Sequence, residues 1–522
     1  MTARLPAMLK LGGGLQAGSI LSLVGALGAL GAVGALGGTA AAGVFDKPAF
    51  TATPRELLAE AKAAATADAE VVVLREDFII SVDDAGRFDS RTRTVFVVVK
   101  AGGADDWGTF GASWSPFYED RPVIRARVIS AAGVVTELDQ TLVSDAPSVS
   151  ESPSVYSDRR DLRVPLPRLA IGSVVEEERS LHDREPLLAA GSVAWAILGQ
   201  SVPTTRSVVT ISAPAVHAPH IVTVGFAKAP AVKQTTAQGR TTWIYDAGSI
   251  APLEPRSDGV PTDTAVWPAI GVATGASWAA VAEDYRKIVD KRIAEGPVTA
   301  PPGVVGATER ETVDRTLAWL HAHVRYTGIE LSDAAIVPWP PAQAIARGFG
   351  DCKDKATLLV ALLRASGIRA DLALLLDGVG ADVRRELPGM GSFDHAIVRA
   401  LVGGKPVWID ATEQGLPAGQ LPVRDQGRSA LVITSGTRDL ESTPLAAPSD
   451  NTSREVRTFH VADSTVTPAS PRSRRRRACS GRTNPTGSGA RRRPINARSS
   501  RRTRPTSTPA SCGRSRRPFR TT

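Results

Sequence analysis

Cysteine is nearly absent from this chain. Among 522 residues there are three, Cys352, Cys479 and Cys512, and the last two fall in a C-terminal stretch unlike the rest. The body therefore holds one thiol and cannot form an internal disulfide, which excludes a disulfide-built secreted scaffold. Histidine is also scarce. His217 and His220, and His321 and His323, have no cysteine or clear ligand cluster beside them. The spacing of the second pair does not share a helical face, so neither pair is expected to hold zinc. Acid and lysine are missing from Ser464 onward, where 17 arginines leave the preceding chain at −8 against a total of +9. Phe519 is the only aromatic in that tail, too little for the base stacking that supports single-strand binding, and no specific nucleic-acid partner is expected.

Residues 1–45 have an export pattern. Arg4 and Lys10 precede a Leu-, Gly- and Ala-rich stretch that ends in Ala40-Ala41-Ala42, an A-x-A site. The rival reading is an uncleaved membrane anchor, because the uncharged stretch exceeds the ~20 residues a bilayer crossing needs. Either way the body is expected outside the cytoplasm, periplasmic or extracellular. Residues 46–69 form a linker with a short helix, "PRELLAEAKAAAT". From 70 to 250 the runs "VVVLREDFIISVD", "TRTVFVVV", "VIRARVIS", "RSVVTISAP" and "TTWIYD" are rich in β-branched residues, with Asp84-Ala85-Gly86 and Ala132-Gly133 as turns. This pattern predicts an all-β antiparallel sandwich of eight or more strands. The acidic run Glu176–Glu178 within it reads as a solvated edge.

From about 260 to 440 the period becomes mixed, and an α+β domain is predicted. Ser277 caps one helix and Thr308 with Glu311 forms a capping box for the next. Residues 441–466 open a β unit that does not continue. Residues 467–522 have few aliphatics and are expected to be disordered.

The one body thiol lies in "GFGDCKDKATLLVALLRASGI", residues 348–368. Asp351 is a good N-cap and Gly367 a helix-ending glycine, so Cys352 opens a mostly buried helix over about 352–366. Unpaired backbone N–H groups and the positive helix end favour a thiolate there and could stabilise an oxyanion. Lys353, Asp354 and Lys355 either tune the thiol or are solvated helix-end charges. Downstream, "FDHAIVRALVGGKPVWIDAT" supplies His395 and Asp410. If Gly403-Gly404 is a two-residue turn, facing residues sum to 807 and Asp410 stands diagonal to His395 on one face. A three-residue loop would reverse that parity.

In "GDCKDKATLLVALLRASGI", "FDHAIV" and "VWIDAT" the chain resembles the transglutaminase-like superfamily, with its papain-related core. Upstream, "WSPFYED", "YSDRRDLRVPLPRLAIGSVVEEE" and "VRYTGIELSD" are similar to the bacterial subgroup in which an all-β domain of unknown function precedes that core. The resemblance implies Cys352 as nucleophile, His395 as base and Asp410 as its orienter. The Cys352 N–H and Tyr326 would be oxyanion donors. It also implies acyl transfer on amides through a thioester, with no metal and no cofactor, on a protein, peptide or cell-envelope substrate. The alternative is a non-catalytic binding or scaffold protein that keeps the fold.

Overall fold

The fold is that of a computed structural model. It describes residues 43–65, 68–149, 154–254, 267–378 and 381–450, with the backbone of 453–457 and 472–476. The expected export segment and most of the basic tail lie outside the described residues. Among the described residues no helix is long and apolar enough to cross a membrane.

Eight strands make the main sheet of the N-terminal half: β1 Val71–Val82, β2 Phe88–Val98, β3 Val123–Ile129, β4 Val135–Glu137, β5 Val174–His182, β6 Thr204–Pro214, β7 Ala231–Ala237 and β8 Arg240–Ile250. Their order is β7-β8-β6-β1-β2-β5-β3-β4. All neighbours run antiparallel except β1 and β6, which are parallel. One irregularity organises the faces. The β1–β2 register shifts between Val73 and Arg75, and a bulge of this kind moves every later side chain to the opposite face. Val71 and Val73 pack with Trp107, Phe110 and Leu162, whereas beyond the bulge Phe78 and Ile80 pack with Ala194, Ile270 and Val272. The same face thus takes two small three-stranded sheets as its second layer. The other face takes α1, Pro54–Ala64, whose Leu57 and Ala61 lie on Val72, Leu74, Val95 and Val97. Thr53 starts that helix with a complete capping box to Glu56.

The acidic run is not a solvated edge. Glu176, Glu177 and Glu178 are all buried, because β5 is an inner strand between β2 and β3. Glu176 accepts from Arg93 Nε at 2.9 Å, from the Phe50 N–H at 2.9 Å, and from Arg127 Nη2 at 2.6 Å. Arginines on both neighbouring strands thus make burial of the charge tolerable.

The expected boundary near residue 260 also moves. Ala269–Ala273 pairs with Val193–Ile197 and His220–Val224, so it completes the β half. The helical half opens at α3, Trp278–Glu295, capped by Ser277 as expected. A short helix α2, Ala101–Asp106, precedes it in the chain; α4 is Glu309–His323, α5 Pro341–Arg347 and α6 Cys352–Ala365. At α4 the Thr308 cap forms, but the Glu311 carboxylate reaches the Ala307 N–H instead of closing the box. Beside α6 lies a second sheet of β9 Ala370–Leu375, β10 His395–Val402, β11 Lys405–Ile409, β12 Ser429–Val432 and β13 Glu441–Ser442, in the order β11-β10-β9-β12-β13. Leu358, Leu359, Val360, Leu362 and Leu363 are completely buried. Each contributes about 1.5–3 kcal/mol by leaving water, which anchors the helix that carries the thiol.

The two halves share a core, since Tyr118, Leu187 and Leu188 join Trp278, Tyr285, Met390 and Phe393 in one cluster. They also share backbone pairing. Val155–Ser157 runs parallel to Gly328–Glu330. Beyond Asp450, Ser453–Arg457 pairs antiparallel with Arg472–Arg476.

Candidate active site

The site is built from three chain segments. In the first, "GFGDC", Asp351 caps α6 by accepting from the Asp354 N–H at 3.1 Å, and the Asp354 carboxylate returns to the Asp351 N–H at 3.3 Å. This reciprocal cap needs Gly350, because a Cβ there would stand 2.7 Å from that of Asp354. Cys352 follows as the first helical residue, half-buried and free. Its neighbours are not the solvated charges that were one of the two expectations. Lys353, Asp354 and Lys355 are buried. Lys353 pairs with Asp351, and Lys355 Nζ donates to the Val324 carbonyl at 3.0 Å. Burial pushes Lys355 down to about 8 against the opposing pull of Asp410. Burial likewise pushes Asp354 up to about 6, with Asp351 adding to it.

The second segment is the hairpin. Gly403 and Gly404 have φ of 57° and 76°, the left-handed pair that a two-residue turn between twisted strands requires. Val402 faces Lys405 and Val398 faces Ile409, the register expected from the sequence. That register carries Asp410 alongside His395, with 3.3 Å between His395 Nε2 and Asp410 Oδ2. The contact is a close ion pair more than an aligned hydrogen bond, since Nε2–H is not aimed at the oxygen. With Nε2 beside Asp410, Nδ1 is the ring nitrogen left for Cys352, whose charge helps to hold the proton on the imidazole.

The charges are set by burial and by each other. Burial opposes a protonated His395, but Asp410 and Cys352 outweigh it and raise the imidazole well above its ordinary value. Asp410 is opposite in sign. Burial favours its neutral form, yet His395 and the Thr412 donors hold it well below the usual carboxylate range. Thr412 supplies its N–H at 2.8 Å and its hydroxyl at 2.7 Å. The sequence reading did not single out Thr412, although an Asp followed two residues later by Thr is a readable Asx-turn signal.

The third segment is the Tyr326 edge. Tyr326 pairs with Gly350 across a short parallel bridge, and the Thr327 N–H donates to the Gly350 carbonyl. This sets the tyrosine beside the head of α6; burial and then Cys352 raise its hydroxyl well above the ordinary value. All four expected residues, Cys352, His395, Asp410 and Tyr326, thus converge.

A further group was not foreseen. Asp425 follows Arg424 in a short 3-10 turn and has no exposed surface. One donor atom each from His395, Asp410 and Asp425 lies within 4.8 Å of the others. That spacing is compatible with a metal ion, although His395 and Asp410 already face each other. His321 and His323 are directed elsewhere, to the Ala411 and Trp319 carbonyls. A concavity of about 890 Å³ lies at the far end of α6, lined by Arg364, Arg369, Arg399 and Arg438 among others. It is about 20 Å along the helix from the thiol and is not part of this site.

A helix-borne thiol facing a strand-borne imidazole and carboxylate is the papain-related arrangement. Residues 304–401 match the transglutaminase-like superfamily, and residues 84–254 match the family described as a domain of unknown function with a solved structure, DUF3857. The chain thus carries, in this order, a segment that matches DUF3857 and one that matches the transglutaminase-like core. Comparison with curated proteins found no match. Among solved structures, one from Parabacteroides distasonis, named a "putative protease", shares the fold at a TM-score of 0.55 and 15% identity over 72% of each chain. A "putative cysteine protease" of Cytophaga hutchinsonii aligns at 12% identity over 58% of this chain and 78% of its own, with a TM-score of 0.16. An M1 zinc metallopeptidase of Deinococcus radiodurans aligns at 13% identity over 48% of this chain and 53% of its own, with a TM-score of 0.21. The last two scores are too low to carry an argument.

Proposed function

We propose that the protein is a cysteine-dependent acyltransferase or hydrolase of amides, working through a thioester on Cys352. One observation carries this reading: a charged, buried His395–Asp410 pair meets the lone body thiol at a helix N-terminus. His395 takes the thiol proton, and Asp410 keeps the imidazolium oriented. The sulfur attacks the amide carbonyl, and the oxyanion is met by the Cys352 N–H and Tyr326. As the carbon–nitrogen bond breaks, His395 returns its proton to the departing amine. Water or a second amine then releases the acyl group, giving hydrolysis or transamidation. The export pattern of residues 1–45 supports a protein, peptide or cell-envelope amide outside the cytoplasm as substrate.

The test is intact mass after incubation with a pool of glutamine-containing peptides. The native protein should gain a peptide mass less ammonia, and Cys352→Ala should gain none. Absence of any adduct on the native protein, or an adduct that persists on Cys352→Ala, would overturn the reading.

A further inference from the structure

Asp425 is completely buried, and neither carboxylate oxygen has a hydrogen-bond donor among the described residues. Its turn is fixed from behind. The Asp425 N–H donates to the Pro422 carbonyl, and Thr443 Oγ1 donates to the Asp425 carbonyl at 2.5 Å. The side chain is thereby held toward His395 and Asp410, the only partners inside the 4.8 Å cluster. The surrounding cations are engaged elsewhere. Arg424 gives Nη2 to Glu413 at 2.6 Å and to Asp410 at 3.4 Å, and its Nε is 2.8 Å from Asp377 in an ion pair without an aligned hydrogen bond. Its Nε is 3.9 Å from Asp425 Oδ1, beyond hydrogen-bonding range. Arg428 donates to the carbonyls of Arg424 and Gly378, and Lys355 donates to Val324. Asp377 and Asp410 face Asp425 with charge of the same sign.

A carboxyl buried without donors, next to a carboxylate already ionised by its own partners, keeps its proton. We propose that Asp425 is a positioning acid of the site: neutral at rest, it becomes a second negative charge beside His395 when it loses its proton, prolonging the thiolate–imidazolium pair into alkaline solution. Consistent with this, burial pushes Asp425 up to about 8, with Asp410 and Asp377 adding to the rise and His395 and Arg424 opposing it. The sign follows. A new anion stabilises the imidazolium, so His395 surrenders its proton at a higher pH than it would beside a neutral group.

The inference rests on the proposed reaction, and its test separates the two. Alkylation of Cys352 by iodoacetate is followed at the Cys352 peptide by mass spectrometry, from about pH 5 to about pH 11. This anionic reagent reacts best with a thiolate beside an imidazolium, so the rate falls where His395 deprotonates. In Asp425→Asn that fall should move to lower pH by about one unit. The readout is a position on the pH axis, which loss of folded protein would not move. Should Asp425→Asn not fold, Asp425→Ser removes the same charge. An unmoved or raised position would overturn the role of Asp425 alone, and so would tight Zn²⁺ binding by the native protein that Asp425→Asn abolishes. A Cys352 thiol that reacts equally fast in native protein and His395→Ala would overturn the reaction and this inference together.

Discussion

Glu176 in the β half and Asp425 in the transglutaminase-like half are both carboxylates without exposed surface, and the chain surrounds them in opposite ways. Glu176 receives two arginines and a backbone N–H, so its charge is fully met and its surroundings are fixed. Asp425 receives no donor. Glu119 and Asp183, at the junction of the halves, are intermediate. Burial pushes Glu119 up to about 8, with Asp183 adding to it, and burial pushes Asp183 up to about 7. The contrast teaches that burial of an acid alone says little; the donors around it decide whether it is a strut or a titrating group.

Four substitutions sharpen or break that contrast. Asp410→Asn keeps the shape and removes the charge that stabilises His395. It should slow acylation of Cys352 roughly a thousandfold or more, read from the rate of adduct formation. A tenfold effect would mean that the carboxylate is structural, like Glu176. Glu176→Ala strands Arg93 and Arg127 and should cost about 3–5 kcal/mol in urea unfolding; a cost near zero would remove the distinction between met and unmet acids. Glu119→Gln should act in the other direction. Its folded-state value lies above the ordinary 4.5, so the unfolded chain releases the proton first and native stability falls as pH rises from about 4.5 to about 8. Removing that proton site should raise stability at pH 8 by about 1–3 kcal/mol and flatten the slope, as thermal melts across this range would report. Gly404→Ala forces a Cβ onto a φ of 76° and should cost about 1–2 kcal/mol in the same melts. A larger loss, accompanied by loss of acylation, would mean that the turn also sets the register that delivers Asp410.

Much of the candidate site was legible because each part obeys a local rule. Asp351 and Gly367 bracket a helix, and the two glycines at 403–404 fix a parity that carries His395 and Asp410 to one face. The parts that were missed depend on non-local pairing. Asp425 sits in a 3-10 turn with no periodicity, and it reaches His395 because β12 pairs with β9 on the side of the sheet opposite β11. The charges of Glu176–Glu178 look solvated until β5 is known to lie between β2 and β3. Nor does any local signal in residues 269–273 tell that this strand closes the preceding half; its neighbours come from 193–197 and 220–224.

The short ribbon formed by Val155–Ser157 against Gly328–Glu330 has a practical outcome for anyone trimming this protein. The first member comes from the front half and the second begins two residues after Tyr326, so cutting the front half away would bare a row of amide and carbonyl groups in that segment. Such a fragment should self-associate through that seam, and the leading module is better regarded as a paired part of the fold than as a detachable accessory.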